Sequence, residues 1–576
     1  MNLTSFLKQI DETALKCSKE QLLLFIHNVG RVLPETQRDD FLKRLKSVEG
    51  NAGKTPDRTG SEEFNEVYQH IRGNLRKIDS QEISIKGILN EEYDDWYNSS
   101  DEEFYYQDGE GIADMLEEAC IFVHSCVDEE RYQEGSSIGQ QLFMMEILCE
   151  NEYSDEEFDI GDMVHYQLLD YDMKQIILDT LYCIYQATPL KERPKALYEV
   201  VVNAKHDDIS LEAVMQHGEE ELPEFREFLP EWICYLGRQT GADAEYLFSE
   251  AVEMLGNVSE ACKYADDYAD NHPGTYLHIL ENTKSIDADK LIEIGLHAMK
   301  VIPKKYRIRS KVALKTADYI VQSDKHQAML EECYFTAYES DTSAVNYIRA
   351  FLNGYGTEEK RQRLRNIFES LSTEENRCYF QSERQENTPD RNMIWLLRFL
   401  DGQFTLVLSK GMGEQSALGW TGTFMKQGIA LFLLYFHGGT WQDEGIHAMV
   451  GKVKSAMGFS KAIYEKGLSE TSDGDENDLF YHLFSEWKSM VGVESGVRGD
   501  ALQKIGSLLE RRVDGIMSAN RRNYYGECAA YIAALGTVQE SNGDKGAKQR
   551  LMTSYKERYS RRSAFRAELK AYGWKG

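Results

Sequence analysis

The sequence predicts an all-α protein, an irregular α-solenoid of tetratricopeptide-like helix pairs with an N-terminal helical region. Three observations carry that prediction. Only 9 prolines stand beside 43 glycines in 576 residues, a balance that long helices tolerate and that turn-rich β folds seldom show. Apolar residues recur at three- and four-residue spacing through most of the chain. Small residues stand beside Tyr and Leu at those spacings, which lets neighbouring helices approach closely and bury a continuous core. At 42% hydrophobic and 28% charged, the chain is too apolar for disorder and too long for one core, so two to four packed units are expected.

Four regions follow from the pattern. Residues 1–85 read as helices, with stripes at Leu22, Phe25, Ile26 and Val29, at Phe41, Leu42, Leu45 and Val48 after Pro34, and at Phe64, Val67, Ile71 and Leu75. Residues 86–170 form an acidic-aromatic segment, read as helical, in which Ser-Asp-Glu-Glu-Phe occurs twice, at Ser100 and Ser154. Each serine precedes a glutamate by three residues (Glu103, Glu157), the spacing of a capping box, so two helix starts are expected. A Ca²⁺ loop is disfavoured because the alternating ligands, central Gly and terminal Glu are absent.

Residues 171–400 read as a solenoid of short amphipathic helices. Tyr246, Leu247, Ala251, Met254 and Leu255 share one face, and Ala261, Tyr264, Ala265, Tyr268 and Ala269 make the next. His272-Pro273-Gly274 turns the chain, Tyr276, Leu277 and Leu280 follow, and a helix through Leu291, Ile294, Gly295, Ala298 and Ile302 closes at Pro303. No fixed repeat length emerges. Residues 401–576 form a C-terminal helical unit. Its glycine-rich, apolar stretch 403–458 reads as buried helices with tight turns, and the apolar run leaves a strand open there. Residues 469–477 are a polar insert.

Charge is divided along the chain. The formal net charge is −32, yet from Ala501 onward 15 Lys and Arg face 7 Asp and Glu, a net of +8 that leaves −40 on the first 500 residues. Evenly spread, such acidity would repel nucleic acid and anionic lipid; the asymmetry points instead to ends that face different partners, or each other. The ten cysteines lie far apart without Cys-x-x-Cys pairs, as expected of small buried hydrophobes in a reducing cytoplasm. The N-terminus lacks a signal-peptide core, and the longest apolar run, 429–436, is far below the roughly 20 residues that span a bilayer. A cytoplasmic protein with no membrane partner is expected.

No constellation fixes a reaction. Gly50-Asn-Ala-Gly53-Lys54-Thr55 has Val48 where a phosphate loop needs its first glycine, and Gly445 to Lys452 has one residue too many between its glycines. His437, Asp443, Glu444 and His447 cluster within eleven positions, but a carboxylate-bridged metal site needs a second Glu-His pair. Capping and solvated roles are expected there. Two sulfurs and one imidazole at Cys120, His124 and Cys126 do not complete a zinc shell. No His-Glu-x-x-His motif is present. No cofactor and no metal is expected.

In the last 54 residues charge and helical pattern coincide. Tyr524, Cys528, Ile532 and Leu535 make one stripe, Asn542-Gly543 turns, Ala547, Leu551, Tyr555 and Tyr559 make the next, and Phe565 and Leu569 a third. Arg521, Arg522, Lys548, Arg550, Arg558, Arg561, Arg562 and Arg566 decorate them. This basic face, with the acid-embedded aromatics Trp96 and Tyr97, is the candidate partner surface. Its cations meet the chain's own carboxylates, an acidic protein or, as the alternative, nucleic acid.

The runs Tyr525-Gly-Glu-Cys-Ala-Ala-Tyr-Ile-Ala-Ala-Leu-Gly536, Gly546-Ala-Lys-Gln-Arg-Leu-Met552 and Tyr559-Ser-Arg-Arg-Ser-Ala-Phe-Arg-Ala-Glu-Leu569 resemble the C-terminal helical region of bacterial SWIM zinc-finger proteins and their relatives. The run from Tyr264 to Leu277 is similar to the helical repeats that precede that tail. The likeness covers about 300 residues by the extent of these runs and the pattern between them. The family's zinc module, Cys-x-Cys followed by Cys-x-His, is absent from this chain, so its zinc and its proposed contacts do not carry over. The resemblance implies the helical scaffold alone. A non-catalytic scaffold or adaptor that binds a protein partner is therefore expected, with nucleic-acid association and an enzyme site built from dispersed residues as alternatives.

Overall fold

The computed structural model describes residues 59–89, 104–151, 154–205, 209–218, 222–282, 286–323, 326–371, 385–413, 416–469, 471–494 and 496–576. The helical stripes placed before residue 59, the Ser100 capping site, the Gly50 loop, Trp96 and Tyr97 lie outside them. The protein is mostly helical, 68% helix and 4% strand, and divides into two compact units: residues 1–129 with 137–172, and residues 130–136 with 173–576. Among the described residues no helix is long and apolar enough to cross a membrane.

The first unit corrects the reading of 86–170 as helical. Helix α1 (Thr59–Asp79) leads into strand β1 (Ile85–Leu89), β2 (Phe104–Gln107) follows, then helices α2 (Ile112–Asp128) and α3 (Tyr132–Met144), strands β3 (Ile147–Glu150) and β4 (Glu156–Phe158), and α4 (Ile160–His165). The sheet order is β2-β1-β3-β4. β1 is antiparallel to β2, pairing Leu89 with Phe104, and parallel to β3, pairing Ile85 with Cys149. β4 returns antiparallel to β3, with Ile147 opposite Phe158.

The second Ser-Asp-Glu-Glu-Phe copy thus ends in a strand, and the helix starts six residues after its serine. Asp159 caps α4 in a reciprocal box with Asp162, each carboxylate accepting the other's backbone N–H at 2.9 Å. Burial decides the matter: Phe158 is buried against Tyr106, ring centroids 4.9 Å apart, and Tyr166, and a strand delivers that ring to the sheet face. α1 carries the expected stripe, with Ile71 and Leu75 buried and Phe64 5.1 Å from the Phe122 ring of α2, while Val67 stays exposed.

The second unit begins with a run of short helices: α5 (Met173–Ala187), α6 (Arg193–Ala204), α7 (Leu211–Met215), α8 (Phe225–Leu236), α9 (Ala242–Met254), α10 (Val258–Asp267), α11 (Thr275–Asn282), α12 (Ala288–Val301), α13 (Ile308–Gln322), α14 (Leu330–Ser340) and α15 (Ala344–Ala350). Packing is local in sequence: α5 on α6, α6 on α8, α8 on α9, α9 on α11, α11 on α12, α12 on α13, α13 on α14 and α14 on α15. Of the expected faces of α9 to α12, Leu247, Ala251, Ala261, Ala265, Tyr276, Leu280, Leu291, Ile294 and Ala298 are buried, Met254, Leu255, Tyr264, Tyr268 and Leu277 are half-buried, and Tyr246 is 52% exposed. His272 explains the turn before α11. Its ring stacks on Phe248 at 4.2 Å, and its Nε2 hydrogen-bonds the Leu236 carbonyl at 2.9 Å.

Beyond α15 come α16 (Glu358–Ser370), α17 (Arg391–Leu400), α18 (Met425–Phe436), α19 (Glu444–Met457), α20 (Glu476–Met490), α21 (Val497–Ser518), α22 (Tyr525–Ser541), α23 (Ala547–Arg558) and α24 (Ser563–Ala571). The strand left open within 403–458 is not formed among the described residues; its apolar run is α18, buried from Gly428 to Phe436. Sequence-distant contacts close this region. Buried Arg349 donates to the Tyr464 carbonyl at 3.1 Å and to the Ile463 carbonyl, and Trp487 Nε1 donates to the Leu400 carbonyl at 2.8 Å.

α22 sits centrally, touching α18, α19, α21, α23 and α24. Two glycines permit the closest approaches. A Cβ on Gly445 of α19 would stand 2.6 Å from the Ala534 nitrogen, and one on Gly536 would stand 2.5 Å from the Lys548 Cα. Backbone atoms cannot yield as a flexible side chain can. We therefore expect Gly536→Ala to lower unfolding stability by about 1–3 kcal/mol through overpacking, outweighing the ~1 kcal/mol helix-propensity gain of alanine. A urea-denaturation midpoint unchanged or raised in this variant counts against that crossing.

Candidate functional site

The structure scatters the predicted basic face. Lys548 is 8% exposed, and its ammonium pairs with Asp443, 105 positions earlier. Arg550 binds Asp544 and the Lys545 carbonyl, closing its own turn. Arg558 pairs with Glu510 at 2.8 Å and approaches Asp514 at 3.5 Å. Arg562 donates to Asn520 Oδ1 at 2.6 Å and to the Met517 carbonyl at 2.9 Å, so it caps the C-terminal end of α21. Arg566 has its Nε buried without a hydrogen-bond partner. Arg521, Arg522 and Arg561 remain exposed. Four of the eight therefore meet partners within the chain, and three of those four meet carboxylates.

Beneath this face lies the tail's core, where Ile516 of α21, Cys528 and Ile532 of α22, Met552 of α23 and Phe565 and Leu569 of α24 are buried together. The expected helical stripes supply Cys528, Ile532, Tyr555, Phe565 and Leu569 of it.

The histidine-acid cluster resolves into structural roles. Asp443 caps α19, accepting the N–H groups of Gly445 at 3.0 Å and Ile446 at 3.3 Å. His437 hydrogen-bonds the Thr440 carbonyl through Nε2 at 3.0 Å, and burial holds its pKa below the ordinary histidine value. Among the described residues no group of three or more His, Cys, Asp or Glu side chains is placed to hold a metal ion. Cys120 and Cys126 are buried on α2 while His124 faces outward.

Sequence reasoning missed a buried charge cluster at the start of α22. Glu527, in the first turn of α22, receives Lys426 Nζ of α18 at 2.6 Å on one oxygen and Arg512 Nη2 of α21 at 2.9 Å on the other. Arg512 is 2% exposed, donates also to the Ala417 carbonyl at 2.8 Å, and lies 5.0 Å from both the Trp420 and Tyr524 rings. Burial pushes the Glu527 carboxyl up, but the Lys426 and Arg512 hydrogen bonds more than reverse it and hold its pKa below the usual carboxylate range. Tyr531 then ties α22 to α18, its hydroxyl donating to the Lys426 carbonyl at 3.0 Å. Only the count of cations after residue 500 hinted at this. The partners lie 15 and 101 positions from Glu527.

Lys426 and Glu527 of this triad line a cleft of about 720 Å³, within the size range of small-molecule sites. The N-terminal turns of α17 and α18, one face of α19, the start of α22 and Tyr572 enclose it. Lys452 of α19 lines it, with its ammonium 5.3 Å from the centroid of the Tyr531 ring. Burial lowers the Lys452 pKa from the ordinary lysine value; Glu527 pulls it up and Lys426 pushes it further down. A separate polar cleft of about 580 Å³ holds Asp401, whose carboxylate accepts Arg365 Nε at 2.5 Å and Gln403 Nε2 at 2.9 Å.

The lowered Glu527 pKa sets a sign for pH. A carboxylate depressed in the folded state contributes stability above its unfolded pKa and loses it as pH falls through the folded value. Glu527→Gln should cost about 2–4 kcal/mol at neutral pH, because it leaves Arg512 buried beside a neutral amide. The gap between wild type and variant should narrow steadily as pH drops below about 4.5. Denaturant titrations at pH 7, 5 and 3.5 measure it, and a gap independent of pH contradicts the ionised triad.

Comparison with protein-family models, with curated proteins and with solved structures finds no match for this chain.

Proposed function

We propose that this chain is a non-catalytic helical-repeat scaffold of the cytoplasm that holds a protein partner on the helix succession of residues 173–350. The observation that carries the reading is the packing order, in which nearly every helix from α5 to α15 leans on the next one or the next but one. Such an array buries its core between successive pairs and leaves an extended outer surface for capture, the working principle of solenoids. The likeness of the tail to the helical region of SWIM zinc-finger proteins supports the same scaffold role. The charge of −40 on the first 500 residues favours a partner with a basic face and electrostatically hastened association.

The tagged protein, drawn from its native cells at low ionic strength and treated with nuclease, should carry a stoichiometric protein partner. The complex should weaken as salt rises toward about 0.5 M, where the Debye length falls to a few ångströms. A chain that elutes alone under these conditions overturns the scaffold reading.

A second reading, nucleic-acid association, rests on Arg521, Arg522 and Arg561, which are exposed and form no ion pair among the described residues. Binding that uses these three has a slope of log affinity on log salt of about −2 to −3. Their joint replacement by Glu abolishes it. Nuclease-resistant recovery of the partner alone argues against this second reading.

A further inference from the structure

Lys452 is a half-buried ammonium in a protein where 97 Asp and Glu outnumber 65 Lys and Arg, yet among the described residues no carboxylate forms an ion pair with it. The shortage is local. The nearest candidate, Glu527, already spends one oxygen on Lys426 and the other on Arg512. Asp390, at the opposite wall, turns its Oδ1 to the Met393 N–H at 2.7 Å as the cap of α17. Two further carboxylates, Glu444 and Glu568, approach Tyr572 at the rim. Lys452 rests over the Tyr531 ring, which supports a cation weakly and leaves its donors unused.

A second group at the wall is also unmatched. The carboxamide oxygen of Gln427 is buried and has no hydrogen-bond partner, a state that costs about 1–3 kcal/mol unless something donates to it. The floor between these two groups is kept open by small residues of α19, Ala448, Gly451 and Ala456. A Cβ built on Gly451 meets nothing within 4 Å, so packing does not require glycine there. Met393 and Phe424 make the apolar side.

We infer that this cleft binds a small organic monocarboxylate, with its anionic group on Lys452 and its apolar body between Met393, Phe424 and the small residues of α19. The charge count selects one negative charge. A single uncompensated ammonium stands among the Glu527 and Asp390 carboxylates, so a phosphate or a polycarboxylate would bring repulsion that the walls do not offset. A charge-assisted contact in a partly desolvated cleft favours the acid over its neutral analogue by about tenfold or more. The inference does not rest on the scaffold reading and survives or fails separately from it.

Hippurate is a suitable probe, since it carries a carboxylate, an amide N–H and an apolar ring. Hippuramide is its neutral counterpart. Isothermal titration of the full chain should give a hippurate Kd on the order of 0.1–1 mM, with hippuramide about tenfold weaker or more. Lys452→Met and Lys452→Gln should each weaken hippurate to the level of hippuramide and leave hippuramide unchanged. They should fold normally, because Lys452 holds no ion pair to break. Gly451→Phe should abolish both ligands by filling the floor, with circular dichroism confirming the helix. Equal binding of acid and amide, hippurate affinity unchanged in both Lys452 variants, tighter binding of inorganic phosphate, or no heat up to about 10 mM hippurate each overturns the assignment.

Discussion

The second unit depends on one helix that has no face to spare for water. In α22 the nine residues from Cys528 to Gly536 are all buried, so the helix is not amphipathic and cannot be placed by a hydrophobic stripe. It is placed by what fits around it. Alanines at 529, 530, 533 and 534 and the glycine at 536 make it thin, and Gly445 lets α19 bring its backbone against it. Thin helices approach closely and bury their neighbours' larger side chains, among them Met552, Phe565 and Leu569. The cost is intolerance, since a single added methyl at such a crossing meets backbone rather than a movable side chain.

A helix buried on all sides needs its ends satisfied from within the protein. At the start of α22, Glu527 sits where the helix dipole favours a negative charge, and it draws Lys426 and Arg512 from two other helices to one point. At its end, Asn542 donates to the Phe436 carbonyl at 3.0 Å, and Ser541 Oγ receives the Gly438 N–H at 3.1 Å. Both ends of α22 are thus stitched to the two ends of α18. The packing of these helices and their polar ties specify the same arrangement, and such agreement between levels separates one fold from its competitors.

The helices of the solenoid-like run were legible because each buries one face on neighbours close in sequence, so spacing alone exposes them. The pattern Leu291, Ile294, Gly295, Ala298 closing before Pro303 is one such case, and α12 ends at Val301. The sheet was not legible. Its strands are three to five residues long, and β1 finds its parallel partner β3 about 60 positions later. The Ser-Asp-Glu-Glu-Phe repeat carries a true helix-start spacing, but long-range pairing of Phe158 overrode the local signal. Charge was half legible. Sequence located a basic tail, while the carboxylates that engage it, such as Asp443 for Lys548, are brought in by the fold. The most consequential cations, Arg512, Lys426 and Lys452, lay outside the tail cluster because nothing in their local spacing marks them.

The same tie that anchors α22 explains why a cleft persists beside it. Glu527 is held at both oxygens by cations from separate helices, so it cannot swing toward Lys452 without breaking a charge-assisted bond worth more than the exposed alternative. Lys426 is fixed by the same contact, and its backbone carbonyl is held by Tyr531. The wall is therefore rigid on the side where its charge is already spent. On the facing side, α19 presents Ala448, Gly451 and Ala456, none of which can collapse into the space. The Lys452 ammonium is thereby left to face an opening whose geometry is set before anything enters, and a ligand there spends little of its binding energy on ordering the protein.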